Sequence, residues 1–176
     1  MSNSVPHEQS SPVGQFFVPG LTIRPCRPGD EAFLRRLYRT SREQELAATG
    51  WTDVMKREFC NQQYDAQRDD WRHRFPQAHW LLLLDRREPV GRLYYDPSGE
   101  DLLLIDICLL PKAQGRGRGR ALLEATSEQA RRLGKASVSL SLLAWNQGAY
   151  RLYLRQGFVE TRRDSARIYM RQLLSA

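Results

Sequence analysis

The chain has 176 residues, 41% of them hydrophobic and 27% charged, with a formal net charge of +7, which are the proportions of one soluble globular domain. No apolar run approaches the ~20 residues of a membrane span, and the opening MSNSVPHEQSSPVGQ has neither the basic start nor the apolar stretch of a secretory signal. The basic surplus admits an anionic partner (nucleic acid, a membrane surface or a phosphorylated small molecule) as readily as a plain arginine-rich composition.

Residues 1–18 read as a disordered polar arm and 19–176 as a single domain. Leu21–Cys26 alternates as a strand and is broken by Pro28 and Gly29. Asp30 is a candidate N-cap for EAFLRRLYRT, whose Phe33, Leu34, Leu37 and Tyr38 share one face. A second, very polar helix is predicted over 52–75, with Met55, Phe59 and Gln62 in phase. HWLLLLDR predicts a strand covered on both faces, VGRLYYD its hairpin partner, and DLLLIDICLL the central strand. A helix follows the glycine loop, carrying Gly119, Leu122, Leu123, Thr126, Ala130 and Leu133 on one face and closing at Gly134. ASVSLSLL is a strand, 146–156 a short helix, and GFVETRR and ARIYMRQL two final strands. This order makes a mixed α/β sheet rather than a repeated βαβ ladder.

Cys26, Cys60 and Cys108 are scattered, and His7, His73 and His79 lack metal-ligand spacing. A reducing cytoplasm and no structural metal are expected. Cys108, inside an apolar run, reads as a small core residue.

LLPKAQGRGRGRALLEA places a glycine loop between a strand and a helix. The unpaired first N–H groups and the dipole of such a helix favour an anion, and glycine lets the backbone approach it. The P-loop pattern fails, because no Lys-Ser or Lys-Thr follows. The dinucleotide pattern fails too, because Arg120 or Leu122 stands where the third glycine belongs. A disordered arginine–glycine tract for RNA is normally long and poor in hydrophobics, whereas this one is short and wedged between apolar elements.

The pattern Q-x-x-G-x-G, formed by Gln114, Gly117 and Gly119, resembles the pyrophosphate loop of the GCN5-related N-acetyltransferases. NQGAYRLYLRQGF, with Asn146, Ala149, Leu152, Tyr153, Gly157 and Phe158, resembles that family's second characteristic segment, and IDICLLP its preceding strand. The resemblance spans 21–173 and implies an α/β (α+β) fold: a mixed, mostly antiparallel sheet of six to seven strands flanked by about four helices. It implies acetyl-CoA as co-substrate, an amine acceptor that is a small molecule or a peptide, and direct attack through a tetrahedral intermediate. Gln114 replaces the commoner arginine, and Arg118 stands where the family usually has an aliphatic residue.

By the same resemblance, backbone N–H groups of Gly115, Arg116, Gly117, Arg118, Gly119 and Arg120 cradle the pyrophosphate. Side chains of Lys112, Arg116, Arg118 and Arg120 are placed to meet the cofactor's phosphates, including its 3′-phosphate, but not all can do so, because neighbouring side chains point in different directions. An oxyanion donor is expected within Cys108–Leu110, with Leu109 and Leu110 also bonding the pantetheine arm. Tyr153 is the candidate general acid or else a core tyrosine, because a phenol of pKa near ~10 holds its proton at neutral pH. Asn146 is a pantetheine partner, an N-cap, or both. Asp106, a carboxylate in an apolar strand, is either structurally paired or catalytic. Glu58 and a water chain are the other candidate bases. The acceptor site is expected between the second helix and the last two strands, with Trp51, Glu58, Phe59, Tyr64 and Trp71 as walls suited to a cationic amine. Relatives are often homodimers, and no residue pattern fixes an interface. A non-catalytic acyl-CoA sensor or interaction module on the same fold, and a basic nucleic-acid binder, are the alternative readings.

Overall fold

The computed structural model describes residues 16–175. Seven strands form one sheet in the order β1-β2-β3-β4-β5-β7-β6. They are β1 (Thr22–Pro25), β2 (His79–Asp85), β3 (Glu88–Asp96), β4 (Leu102–Leu109), β5 (Ser137–Leu143), β6 (Val159–Arg163) and β7 (Arg167–Leu173). The helices are α1 (Glu31–Leu46), α2 (Asp53–Arg74), α3 (Arg118–Arg132) and α4 (Gln147–Arg155). Every pairing in this sheet is antiparallel except β4 with β5.

The four leucines of LLLL explain the layering. Successive strand residues face opposite ways, so Leu81 and Leu83 enter the core beneath α3 and α4, while Leu82 and Leu84 enter a second core beneath α1 and α2. Leu102, Leu104, Val138, Leu140, Leu142, Ile168 and Met170 join the first core. Their alternates Ser139, Ser141 and Tyr169 fall on the α1–α2 face. The β2–β3 hairpin turns through Arg86 (φ 48°) and Arg87 (φ 74°), the positive-φ pair that a tight two-residue turn requires.

Several expectations shift. Residues 1–15 lie outside the described structure, but Phe16 packs on Tyr95 and Val18 is buried, so the folded unit begins before residue 19. α1 continues six residues past Thr40 to Leu46, which is buried. The Asp30 side chain does not cap α1; it accepts from the Arg27 N–H and the Arg24 guanidinium. The inward face of α2 carries Cys60 and Tyr64, while Met55 and Gln62 are exposed. Leu133 is exposed as well, because α3 ends at Arg132. β6 is an edge strand with all five residues exposed and an irregular register between Glu160 and Arg162.

β4 and β5 separate. Their pairing stops at Leu104↔Leu140, although β4 runs on to Leu109 and β5 to Leu143. The register of β4 against β3 shifts at Ile105, and beyond that point a notch opens between the two central strands. On the other side of β4, Gly91 lies so close that a β-carbon there would strike the Cys108 carbonyl and come within 2.7 Å of Leu109 Cδ2. Gly91→Ala is expected to cost roughly 1–3 kcal/mol through overpacking, read as a lowered urea midpoint.

Candidate active site

The notch is built from backbone. The Leu110 N–H bonds the Val90 carbonyl at 2.8 Å. By antiparallel alternation Cys108 and Asp106 also direct their backbone groups to β3, whereas Ile107 and Leu109 direct theirs toward β5. β5 has already left, so the N–H groups of Ile107 and Leu109 meet no strand. This corrects the expected span of the oxyanion donor. Leu110 is occupied and Cys108 faces the wrong way. The N–H of Leu109 is left without a strand partner, as is that of Ile107, which the sequence reading passed over. The Cys108 side chain packs against the α1–α2 core, and burial pushes its thiol up to about 12.

The glycine loop closes the wide end of the notch. Gly115 (φ 73°), Arg116 (φ 50°) and Gly117 (φ 72°) all take the left-handed conformation, and a β-carbon on Gly115 or Gly117 would meet nothing within 4 Å. These glycines therefore serve backbone conformation and access from outside rather than tight internal packing. Gln114 folds back, its Nε2 donating to the Leu109 carbonyl at 2.9 Å. The Arg118 N–H is spent on the Gly115 carbonyl, so it drops out of the expected cradle. Among the described residues the N–H groups of Arg116, Gly117, Gly119 and Arg120 have no backbone partner, and they stand at the positive end of the α3 dipole.

The side chains of the loop divide. Arg118, only 12% exposed, turns inward and pairs with Asp85 at 2.5 Å. Arg120 lies along its own helix on Glu124 at 2.7 Å. Neither is directed at a phosphate as expected. Lys112 and Arg116 are exposed and make no ion pair among the described residues. The Asp85 partner accounts for the unusual Arg118: the pair ties the start of α3 to the β2–β3 turn, and the guanidinium holds the Asp85 carboxyl below its usual range.

The loop, β4 and α4 together line a cleft of about 560 Å³. Its walls include Ile107, Leu109, Gln114, Gly117, Asn146 and Tyr153, with Arg155 at the rim. Arg155 was missed, although it follows Gly148 and Leu152 at helical spacing along the same face. Asn146 caps α4, its Oδ1 accepting the Ala149 N–H at 3.1 Å, so its amide N–H₂ stays available to the cleft. The Tyr153 ring packs tilted at 57° against Phe158, with centroids 5.6 Å apart. Burial, reinforced by the nearby Asp106 charge, raises its phenol above the ordinary range. Asp106 Oδ2 accepts from Arg92 Nε at 2.7 Å. Arg92 is itself buried over the rings of Trp71 and Tyr94.

The expected acceptor walls are not assembled. Trp51 and Phe59 pack edge to face at 5.2 Å within the α1–α2 core. Tyr64 is buried and donates to Glu31 at 3.3 Å. Burial, with Glu31 adding to it, pushes its hydroxyl up to about 12. The cavity beside Tyr64 holds only about 30 Å³. Glu58 points to solvent beside Arg57, because the phase of α2 sends Cys60 and Tyr64 inward and Glu58 outward. Among the described residues no group of His, Cys, Asp and Glu could hold a metal, and no helix is long and apolar enough to cross a membrane.

A strand, a glycine-rich turn and a helix beside a parted pair of parallel strands define a fold that known proteins share. The model of the acetyltransferase (GNAT) family matches residues 34–158, and the chain belongs to that family. The uncharacterised N-acetyltransferase YdgE of Bacillus subtilis (strain 168) is 26% identical over 135 residues, covering 74% of this chain and 86% of YdgE. YycN from the same organism, also an uncharacterised N-acetyltransferase, is 33% identical over 91 residues, or 49% of this chain and 58% of YycN. The PaiA N-acetyltransferase of Thermoplasma acidophilum, solved with coenzyme A, superposes with a TM-score of 0.68 at 15% identity, covering 87% of this chain and 98% of PaiA. YncA of Salmonella typhimurium, solved with acetyl-CoA, gives 0.56 at 21% identity over 89% and 95%. The chain is thus an N-acetyltransferase with acetyl-CoA as its co-substrate.

The Asp85–Arg118 tie can be separated from direct phosphate binding. Asp85→Asn should weaken acetyl-CoA binding several-fold, as should Arg118→Ala, because both release the loop. If Arg118 instead served a phosphate, freeing it by Asp85→Asn would leave affinity unchanged or raise it. Calorimetric titration with CoA decides between the two.

Proposed function

We propose that the protein moves the acetyl group of acetyl-CoA directly to a small-molecule or peptide amine, with Tyr153 as general acid. The observation that carries this is the notch, where unpaired N–H groups of Ile107 and Leu109 lie beside the Tyr153 phenol, with the Asp106 carboxylate on the opposite face of β4 close enough for its charge to reach that phenol. The unpartnered N–H groups of Arg116, Gly117, Gly119 and Arg120, with Lys112 and Arg116 as free cations, suit the pyrophosphate and 3′-phosphate. Asn146 and the backbone of Ile107 and Leu109 suit the amide groups of the pantetheine arm. Acetyl-CoA supplies an activated thioester carbonyl there.

The chain's own groups then have three tasks. The N–H of Ile107 or Leu109 stabilises negative charge on the carbonyl oxygen. The amine nitrogen bonds the carbonyl carbon to give a tetrahedral oxyanion, its proton leaves toward Asp106 Oδ1 or water, and collapse of the oxyanion breaks the carbon–sulfur bond. Tyr153 gives its proton to the departing sulfur and regains one from solvent, so amide and free thiol are the products. A phenol raised by burial keeps its proton at neutral pH and so stays loaded beside the departing sulfur. The three unpaired cysteines support a reducing, cytoplasmic setting.

Release of free thiol from acetyl-CoA in the presence of amines tests this reading. Tyr153→Phe should lower kcat on the order of 10²-fold or more while leaving CoA affinity nearly unchanged. Because the phenol is raised, kcat of the intact enzyme should show no alkaline loss below pH ~10. An undiminished kcat in Tyr153→Phe would remove Tyr153 from the chemistry.

A further inference from the structure

The gap between β4 and β5 also borders the sheet face that carries α1 and α2. Asp106 of β4 and Ser141 of β5 both lie just past the last paired residues, Leu104 and Leu140, and both face this side. They are opposite rims of the same gap. On the β4 rim, Asp106 gives Oδ2 to Arg92, and its Oδ1 accepts no hydrogen bond among the described residues. On the β5 rim stands Arg167 of β7. Its Nε and Nη2 donate to Ser141 Oγ at 3.1 and 2.9 Å, and it makes no ion pair among the described residues.

This pattern is selective. Neighbouring arginines are neutralised: Arg171 by Asp101, Arg163 by Glu160 and Arg74 by Asp70. Arg162 is the exception beside Arg167. It lies 3.9 Å over the Tyr169 ring and likewise has no ion pair among the described residues. Ser141, on which Arg167 rests, and Tyr169, beneath Arg162, line a cavity of about 500 Å³ whose walls also include Thr161, Asp101 and Arg171. Both guanidiniums help hold the nearby Asp164 carboxyl below its usual range, but that carboxyl accepts the backbone N–H groups of Ala166 and Arg167, so among the described residues the guanidinium donors are taken by no carboxylate, and the hydroxyls around them supply further donors to an incoming oxyanion.

Resting on the acetyl-transfer reading above, we infer that the acceptor is an amine that also bears an anionic group, a carboxylate or a phosphate. Arg167, with Arg162 behind it, holds the anion, while Asp106 Oδ1 receives the amine at the notch. The rims belong to strands that have parted, so the two charges of the acceptor are more than about 5 Å apart, the spacing of paired strands. An ω-amino acid or ω-amino phosphate meets that requirement; an α-amino acid does not.

The test compares hexylamine, 1,6-diaminohexane, 6-aminohexanoate and 6-aminohexyl phosphate. Thiol release is followed at saturating acetyl-CoA, and binding of each amine is measured by calorimetry in the presence of CoA. One or both anionic amines should exceed hexylamine and the diamine in kcat/KM by at least ~10-fold, and the better of the two identifies the anion. Arg167→Gln should bring that ratio close to one, and Arg167→Lys should restore part of it. Equal use of all four amines, preference for the diamine, or an unchanged ratio in Arg167→Gln overturns the inference. Anion-selective binding with no thiol release would uphold the anion site and sink the transfer reading. Release or binding without selectivity would do the reverse.

Discussion

Three paired residues hold the two halves of this sheet together, and the site exists because the pairing ends there. β4 and β5 meet only from Leu102↔Val138 to Leu104↔Leu140. Two parallel strands need a long crossover between them; here α3 supplies it, starting where β4 stops. α4 likewise starts just after β5 stops. The divergence therefore fixes both helix N-termini at the same mouth and leaves the amides of Ile107 and Leu109 without the partners that a continuous sheet would give them. Such groups in a protein interior are costly unless something else bonds them. A ligand with alternating amides, laid along β4 as an extra strand, relieves that cost.

Charge is organised around the same gap. The +7 surplus is not spread evenly in its effects. Arg92 is spent holding Asp106, and Arg118 is spent fixing the loop. Arg35 and Arg68 are spent joining α1 to α2 through Glu31 and Asp65. Among the described residues, the cations that make no ion pair include Lys112 and Arg116 at the outer mouth and Arg162 and Arg167 beside β5. Position relative to a carboxylate, rather than number, decides which arginines can greet a ligand.

Much of the fold was legible. The four leucines of β2 announced two cores, strict alternation announced β5, and Gln114 with Gly117 and Gly119, followed by Asn146 and Tyr153, announced the family. What stayed hidden depends on distance in sequence. Asp85 and Arg118 are 33 residues apart, and Arg92 and Asp106 are 14 apart; no local pattern pairs them. The walls expected on α2 failed for a different reason. A polar helix gives a weak periodic signal, so a small error in phase turned Glu58 toward an imagined pocket and overlooked Cys60. The end of strand pairing leaves no mark in either strand alone, and so Ile107 went unnoticed beside Leu109.

The borders of the sheet carry a last consequence. β6 exposes every residue and breaks its register between Glu160 and Arg162, and β1, at the far border, is four residues long and ends in proline. Neither margin presents a long, straight row of free amides. A foreign strand arriving at either side finds too few regularly spaced partners to zip onto, and at β6 it also meets charge. Among the described residues the strand-accepting gap thus lies in the middle of the sheet, and in a crowded solution its outer margins resist growth into fibrous assemblies.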